Sequence, residues 1–411
     1  MSMETNMWWT EFGFTKNPYG TGALFSDEGD SLLVGRDNET NHLSQLLVSQ
    51  GRETPKIAIL AGDNGVGKTS IVNVVIYRLQ KNNPNYLFLK IKPNSLLDKD
   101  TFTRELYTGI IEELLRHTRF LIKQKVNFLE LFYVWFILHF FVLPKASIGN
   151  IDVELNQNLS AIQHLSNIAE KWLKKCFRES GRLICFIDNL ETKGTPSAVS
   201  DFLDKSRDSI FAIEGLSWVL CGTPQVIEPA LKKRRLDGYL SVLEIQPISE
   251  IIAPDIVQTR IELFSGEHAV VPVDSVLFRF IYVNVTKNHL RIALSLCDEF
   301  AFYLFENQER VKKDRTEELK IWLAQIAGRI VLPDLSDESW NLFGFLLNTL
   351  NGECTSGDAW ITGLSNSNDL RIAAEPLSAC GLVSIEETYS GFVIRSTRNG
   401  FLVNFLREKS D

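Results

Sequence analysis

The sequence lacks the features that identify secreted, zinc-binding and nucleic-acid-coating proteins. Its six cysteines are scattered and none forms a Cys-x-x-Cys pair, so we expect neither a disulfide framework nor a zinc site. With 43 basic and 51 acidic residues the net charge is −8, which gives no general attraction to nucleic acid or to an anionic membrane. The N-terminus shows no basic segment followed by an apolar stretch. We therefore expect a globular protein of the reducing cytoplasm.

Long apolar runs are also missing, with one partial exception. The thirteen residues from Leu131 to Leu143 are apolar apart from His139 and rich in aromatic side chains. A helix that spans a membrane needs about 20 apolar residues. We therefore interpret the run as a buried or partner-facing helix, with membrane contact as the less favoured alternative. His139 is interpreted as a core histidine and not as a ligand.

The sequence does contain one specific motif. Residues 62–69 read Gly-Asp-Asn-Gly-Val-Gly-Lys-Thr and fit the pattern G-x-x-x-x-G-K-[ST] without a mismatch. Such a loop wraps a polyphosphate with its backbone N–H groups, while Lys68 reaches the β and γ phosphates and the Thr69 hydroxyl ligates Mg²⁺. The motif therefore predicts ATP and Mg²⁺ as cofactors. The predicted nucleotide-binding residues of the loop are Gly62, Asp63, Asn64, Gly65, Val66, Gly67, Lys68, Thr69 and Ser70.

Apolar runs and helical periodicity alternate on both sides of this motif. Strand-like runs occur at 57–61, 86–91, 183–188 and 216–223, and helical spacing of apolar residues separates them. Strands that alternate with helices form a parallel sheet that is covered on both faces. The pattern therefore predicts an α/β core. From about Ile248 to Ile330 the spacing is helical throughout.

An acidic residue ends one of the predicted strands. Magnesium at a phosphate-binding loop needs a second anchor of this kind, and Asp188 follows the run 183–187. Hydrolysis also needs a group that polarises the attacking water. The next residue, Asn189, cannot act as a base, and the nearest carboxylate is Glu191. We therefore expect slow hydrolysis, with Glu191 as the candidate base and with Thr69 and Asp188 as the metal ligands.

Together with three further segments, these residues resemble a P-loop ATPase of the AAA+ superfamily, nearest to its origin-recognition-like and STAND branches. Residues 33–39 resemble the G-R-x-x-E box, residues 220–224 the sensor 1 strand, and residues 288–294 the sensor 2 helix, although Lys287 replaces a glycine common in the family. The resemblance covers roughly residues 12–300. It implies that Gly35 and Arg36 lie by the adenine. It also implies that Thr223 and Arg291 lie near the γ phosphate.

Residues 232–235 form a short basic run, Lys-Lys-Arg-Arg, between the predicted sensor 1 strand and the next strand. In AAA+ proteins an arginine from this region can reach the nucleotide of a neighbouring subunit and stabilise charge that develops in phosphoryl transfer. The resemblance therefore makes Arg234 and Arg235 candidate catalytic residues. The alternative is an ordinary solvated surface.

The segment after Pro333 has the helix and strand order of a winged helix. Residues 334–411 contain eleven acids and five bases, so this segment carries −6 of the net charge. The predicted third helix, the one that often reads DNA, contains Asp369, Arg371 and Glu375. One arginine beside two acids supplies few phosphate contacts. We therefore expect the segment to contact protein in preference to DNA.

The sequence predicts an α/β P-loop NTPase of the AAA+ kind in three parts. These are a P-loop ATPase core at 1–246 with an aromatic helical insert at about 125–150, a helical lid at 247–332, and a winged-helix domain at 333–411. ATP would bind between core and lid and control a change of conformation or assembly, with a protein partner or further copies of the chain. Two alternatives are a DNA-associated loader or transposition-type ATPase, and a nucleotide-stabilised scaffold without significant turnover.

Overall fold

The computed structural model describes residues 7–49, 57–92, 99–138, 159–178, 181–307, 314–330, 334–388 and 391–410. The chain divides into two compact units. The first, here called the sheet unit, comprises Asn38–Gly62 and Ile71–Glu244. The second, here called the helical unit, comprises Met1–Asp37, Asp63–Ser70 and Ile245–Asp411, and therefore includes most of the phosphate-binding loop.

The described elements follow one another along the chain in this order. Up to residue 244 they are α1 (Met7–Glu11), α2 (Ser26–Leu32), α3 (Asp37–Ser49), β1 (Ile57–Ala61), α4 (Lys68–Asn82), β2 (Tyr86–Ile91), α5 (Lys99–Arg116), α6 (Thr118–Lys123), α7 (Phe128–Ile137), α8 (Leu159–Cys176), β3 (Arg182–Ile187), α9 (Pro196–Ser206), β4 (Leu216–Gly222), α10 (Pro224–Leu231) and β5 (Leu240–Glu244). Beyond it they are α11 (Ala253–Phe264), α12 (Ser275–Phe280), α13 (Leu290–Glu306), α14 (Arg315–Gly328), α15 (Asp337–Asn348), β6 (Glu353–Thr355), α16 (Ser367–Ala379), β7 (Val383–Thr388), β8 (Gly391–Ser396) and α17 (Arg398–Ser410).

The sheet unit is built on five parallel strands in the order β2-β3-β4-β1-β5. Strands β1 and β4 are buried along their whole length, as expected of central parallel strands, and the edge strands β2 and β5 carry exposed residues. The predicted α/β class is therefore confirmed. Because parallel strands end at the same edge, Gly62, Asp188 and Thr223 all follow strands at the carboxyl edge of this sheet, with β4 between β1 and β3.

The aromatic run forms the helix α7 as far as it is described. Its buried side chains, Leu131, Val134 and Ile137, recur at helical spacing and join the core of the sheet unit. Phe132 and Tyr133 are exposed. Residues 139–143 of the predicted run, His139 among them, lie outside the described residues. None of the described helices combines the length and the apolar character that crossing a bilayer requires.

Helices α11 to α14 enclose the main core of the helical unit. The N-terminal segment contributes large aromatic side chains to it, since Trp9, Phe14 and Tyr19 are almost fully buried there. The Tyr19 hydroxyl donates a hydrogen bond of 2.6 Å to the carbonyl of Val273. This segment precedes the sheet in sequence, yet it packs with helices that follow the sheet.

The C-terminal module, residues 334–410, consists of α15, α16, an antiparallel sheet in the order β6-β8-β7, and α17. No helix is predicted from the sequence at the position of α17. This helix joins two cores, because Leu402 and Phe405 pack into the core enclosed by α11 to α14 whereas Phe401 and Val403 pack inside the module. Glu408 at its end also forms an ion pair of 2.6 Å with Lys287.

His289 caps the N-terminus of α13 and lies close to Phe401 of α17. Its Nδ1 accepts a hydrogen bond from the backbone N–H of Ile292 at 3.4 Å, and its ring centroid is 5.7 Å from that of Phe401. Burial, together with the positive charge of Arg291, lowers the pKa of His289 to about 4. The capping bond requires an unprotonated Nδ1, which is consistent with this direction.

We predict that His289 makes the folded state less stable in mild acid. Between its ordinary pKa of 6.5 and about 4, the unfolded chain takes up a proton that the folded chain does not, so the free energy of unfolding falls as the pH decreases. The variant His289→Asn keeps a capping side chain and removes the titration. Its Tm should drop less between pH 7 and pH 5 than that of the unsubstituted protein. The matched control is His42→Asn on the exposed face of α3, and an equal Tm loss in all three proteins would contradict this explanation.

Candidate functional site

The phosphate-binding motif forms a loop between β1 and α4, as the sequence pattern predicts. Gly65 and Gly67 have φ angles of 85° and 100°, which side chains with a Cβ rarely adopt. A Cβ added to Gly65 would also lie 3.0 Å from the His289 ring. The loop therefore requires glycine at these positions for backbone conformation and, at Gly65, for space.

Lys68 is 5% exposed and bends back over this loop. Its Nζ donates a hydrogen bond of 2.9 Å to the backbone carbonyl of Asp63. Ser70, two residues into α4, accepts a bond of 3.1 Å from the backbone N–H of Leu24. A buried ammonium group at the start of a helix favours a polyanion, because the ammonium charge and the helix dipole both attract negative charge.

Arg36 also contacts the backbone of the loop. It is buried, and its Nη2 donates to the carbonyl of Val66 at 2.9 Å and to that of Gln246 at 2.7 Å. Gly35 has a φ of 71°, and a Cβ there would lie 2.7 Å from the side chain of Ile252. These contacts give Arg36 a positioning role on the loop backbone. The predicted position of Gly35 and Arg36 by the adenine stays a prediction.

The predicted sensor 2 residue lies next to the loop. Arg291 is the second residue of α13, and its Cβ is 3.5 Å from the position of a Cβ built on Gly65. Its side chain is exposed. Since Lys287 and Asn288 both have positive φ angles, the chain turns sharply just before α13 and directs the start of this helix to the loop.

The predicted metal anchor and base lie at the carboxyl edge of the sheet. Asp188 forms an ion pair of 3.1 Å with Lys90 of β2. Asn189 adopts a left-handed conformation with a φ of 54°, and Glu191 is buried in the 3-10 turn Leu190–Thr192 that follows. Thr223 is also buried, at the start of α10.

The oxygen donors predicted for the metal suit Mg²⁺. This ion prefers carboxylate, hydroxyl and water oxygens and is usually held by one or two protein groups together with substrate phosphates. The carboxylate of Asp188 and the hydroxyl of Thr69 are ligands of this kind. Among the described residues no group of three or more His, Cys, Asp or Glu side chains could hold a metal ion alone. A magnesium ion held by Thr69 and Asp188 would complete its coordination with phosphate and water oxygens.

The basic run is largely neutralised within the sheet unit. Lys232 pairs with Glu228 at 2.7 Å, and Lys233 pairs with Asp201 at 2.6 Å. Arg235 forms ion pairs with Asp204 at 3.2 Å and with Asp208 at 2.7 Å. By contrast, Arg234 is exposed and forms no ion pair within the described parts of the chain. The structure thus distinguishes two arginines that the sequence treated alike.

Two residues of the C-terminal module that are not among the predicted site residues, Asn351 and Glu353, contact the phosphate-binding loop. The Asn351 side chain donates to the Asp63 carboxylate at 3.1 Å, and the Asn64 side chain donates to the Glu353 carboxylate at 2.6 Å. Glu353 is held in turn by Arg395, at 3.0 Å. The Asn-Gly pair at 351–352 is a turn signal, but no local pattern shows which distant loop it would contact.

This contact places two carboxylates close to the loop. Burial is the main reason that the pKa of Asp63 is raised, and the negative charge of Glu353 raises it further. The bond from Asn351 acts in the opposite direction. Each of the two carboxylates also has a cation beside it, Lys68 for Asp63 and Arg395 for Glu353.

Several solved structures align with most of this chain. The Orc1 protein of Aeropyrum pernix, solved in complex with DNA, is 17% identical, with 93% of this chain and 95% of that chain covered at a TM-score of 0.42. Cdc6p from Pyrobaculum aerophilum is 14% identical, with coverage of 94% and 100% and a TM-score of 0.41. A point variant of RuvB from Thermotoga maritima is 14% identical, with coverage of 91% and 95% and a TM-score of 0.38. At these TM-scores the similarities carry no argument about function.

No curated protein matches this sequence. The model of the KAP family P-loop domain, however, matches residues 36–244. That range begins just before α3, includes the phosphate-binding loop and ends with β5, so it spans the five-stranded sheet described above. It also covers just over half of the chain and confirms the P-loop NTPase that the motif predicts. The chain belongs to the KAP family of P-loop NTPases.

Proposed function

We propose that this protein binds ATP with Mg²⁺, hydrolyses it slowly and uses the nucleotide to control the position of its C-terminal module. The observation that carries the proposal is the direct contact between the phosphate-binding loop and that module, through Asp63 with Asn351 and Asn64 with Glu353. A ligand that changes the loop then changes the module as well. Membership of a P-loop NTPase family supports the nucleotide as that ligand.

In the proposed site Lys68 exchanges one partner for another. Its ammonium group, which now bonds to the Asp63 carbonyl, would bond to phosphate oxygens that carry full negative charge and form stronger hydrogen bonds. Thr69 and Asp188 would hold Mg²⁺, which neutralises charge on the phosphates when it is bound. Thr223 and Arg291 would contact the γ phosphate. These roles rest on residue type and position in the chain.

We predict that Lys68→Ala abolishes measurable ATP and ADP binding, because a buried cation that the phosphates require is lost. Isothermal titration calorimetry measures this directly. The matched control is Lys81→Ala, which removes the same charge from the exposed end of the same helix and should leave affinity unchanged. Near-normal affinity in a folded Lys68 variant would show that the nucleotide binds elsewhere.

The coupling to the C-terminal module is electrostatic. Asp63 and Glu353 already bring two carboxylates to the loop, and phosphates would add further negative charge close to both. Like charges in a partly buried site repel each other strongly, because the local dielectric constant is below that of water. Nucleotide binding would therefore weaken the contact with Glu353. Since α17 packs with both the module and the lid helices, the release would involve both parts.

We predict that Glu353→Gln raises nucleotide affinity by about twofold to tenfold, because it removes a negative charge beside the loop. The amide oxygen of the new glutamine can still accept a hydrogen bond from Asn64, so the contact itself is retained. Calorimetric titration with ADP gives the comparison.

The control for this prediction is Glu386→Gln. Glu386 also forms an ion pair with Arg395, but Glu353 is the partner of Arg395 that contacts the loop. The control should leave nucleotide affinity unchanged. If both variants shift the affinity equally, or if Glu353→Gln weakens binding, the electrostatic coupling is wrong.

Slow hydrolysis follows from the residues near the predicted metal anchor. Asn189 cannot accept a proton from water, so Glu191 is the proposed base, and its buried position favours a defined orientation. The charge that develops during phosphoryl transfer would need a cation from a neighbouring copy of the chain. Arg234 fits this role better than Arg235, since Arg235 already forms ion pairs with Asp204 and Asp208.

We predict that Arg234→Ala lowers ATP hydrolysis by about tenfold or more at concentrations where copies of the chain associate, with little effect on ADP affinity, because an arginine supplied in trans acts on the transition state. Phosphate release measured over a range of protein concentrations tests this. Lys232→Ala, two residues away, provides the matched charge control. Equal rates in both variants would leave residues 232–235 as an ordinary basic surface.

A protein partner for the C-terminal module is favoured over DNA. The single arginine of α16, Arg371, forms ion pairs with Glu375 and Glu387, so it is not available for a phosphate. Apolar side chains are exposed nearby in sequence, with Trp360 at 76% and Ile372 at 57%. Exposed aromatic and aliphatic groups on an acidic module are typical of a surface that binds protein.

A further inference from the structure

Lys90 forms an ion pair with the carboxylate proposed to anchor the metal. It lies on β2, the strand next to β3, and its Nζ is 3.1 Å from Oδ2 of Asp188. The same ammonium group is 5.0 Å from the ring centroid of Phe186. The Asp188 side chain is 12% exposed, whereas that of Lys90 is 36% exposed. A cation of the protein thus bonds to a largely buried carboxylate and remains accessible to solvent.

This arrangement has a consequence for metal binding. An ammonium group and Mg²⁺ both favour the ionised carboxylate, and a carboxylate that is mostly removed from water depends strongly on having a cation beside it. Two cations close to one carboxylate also repel each other. The ion pair with Lys90 therefore opposes the binding of a metal ion to Asp188.

We propose that Lys90 competes with Mg²⁺ for Asp188 and so sets the concentration of Mg²⁺ at which the nucleotide site takes up its metal. The proposal rests on the function proposed above and adds a positioning residue to it. Without metal, Lys90 holds the carboxylate at the edge of the sheet. When Mg²⁺ and nucleotide bind, the ammonium group leaves Asp188 and turns to solvent, to which it is already partly exposed.

The first experiment compares Lys90→Met with Lys92→Met. Lys92 follows β2 by one residue, is exposed and forms no ion pair with the described residues, so its variant makes the same change in net charge without touching Asp188. Binding of a fluorescent ADP analogue is titrated with Mg²⁺ in each protein. The Mg²⁺ concentration for half-maximal binding should be about two- to fivefold lower in Lys90→Met than in the unsubstituted protein and unchanged in Lys92→Met.

A second experiment follows the amine of Lys90 directly. Acetylation with acetic anhydride, quantified at each lysine by mass spectrometry, should be slow at Lys90 in the unsubstituted protein and faster in the variant Asp188→Asn. Addition of Mg²⁺ with ADP should accelerate it, whereas ADP alone should not. This measurement does not depend on catalytic turnover, and circular dichroism of each variant verifies that it is folded.

The outcomes separate this inference from the proposed function. Equal Mg²⁺ requirements in the two methionine variants, or a higher requirement in Lys90→Met, would overturn the competition while leaving nucleotide binding in place. An acetylation rate at Lys90 that does not change when Mg²⁺ and ADP are added together would also overturn the competition. If the unsubstituted protein bound no ADP at any Mg²⁺ concentration, the proposed function would fail, and the competition would fail with it.

Discussion

The conformation of the phosphate-binding loop is the constraint on which the other features of the site depend. Gly65 and Gly67 hold backbone angles that other residues rarely adopt, so the loop cannot be stabilised by side chains of its own at these positions. Its stability comes from groups outside it or folded back over it. Arg36 bonds to the backbone at Val66, and Lys68 closes over the carbonyl of Asp63.

The same loop also contacts the C-terminal module. Asp63 and Asn64 are loop positions whose side chains both bond to residues of the module. This has an energetic consequence. In the proposed function, a polyanion at the loop would compete with carboxylates that are already there, so occupancy of the loop and contact with the module would oppose each other. A nucleotide-controlled change of conformation needs two such mutually opposing states.

The charged groups near the carboxyl edge of the sheet are also already paired within the protein. Asp188 is paired with Lys90, and most of the basic run is paired with acids of the sheet unit, so these groups meet a ligand only by exchanging partners. Exchange of partners gains less free energy than binding to an unpaired buried charge would, because an existing ion pair must break first.

The sequence by itself determined the parallel α/β sheet, the phosphate-binding loop and the acid that ends β3, because each depends on local patterns: continuous apolar runs, glycine spacing and a polar residue after a strand. Only the tertiary structure revealed that α17 is shared between two cores and that Glu353 reaches Asn64, 289 positions away in the chain. Tertiary structure also distinguished Arg234 from Arg235 and paired Lys90 with Asp188. Contacts of this kind join positions far apart in the chain, and no local periodicity records which distant residue a side chain will meet.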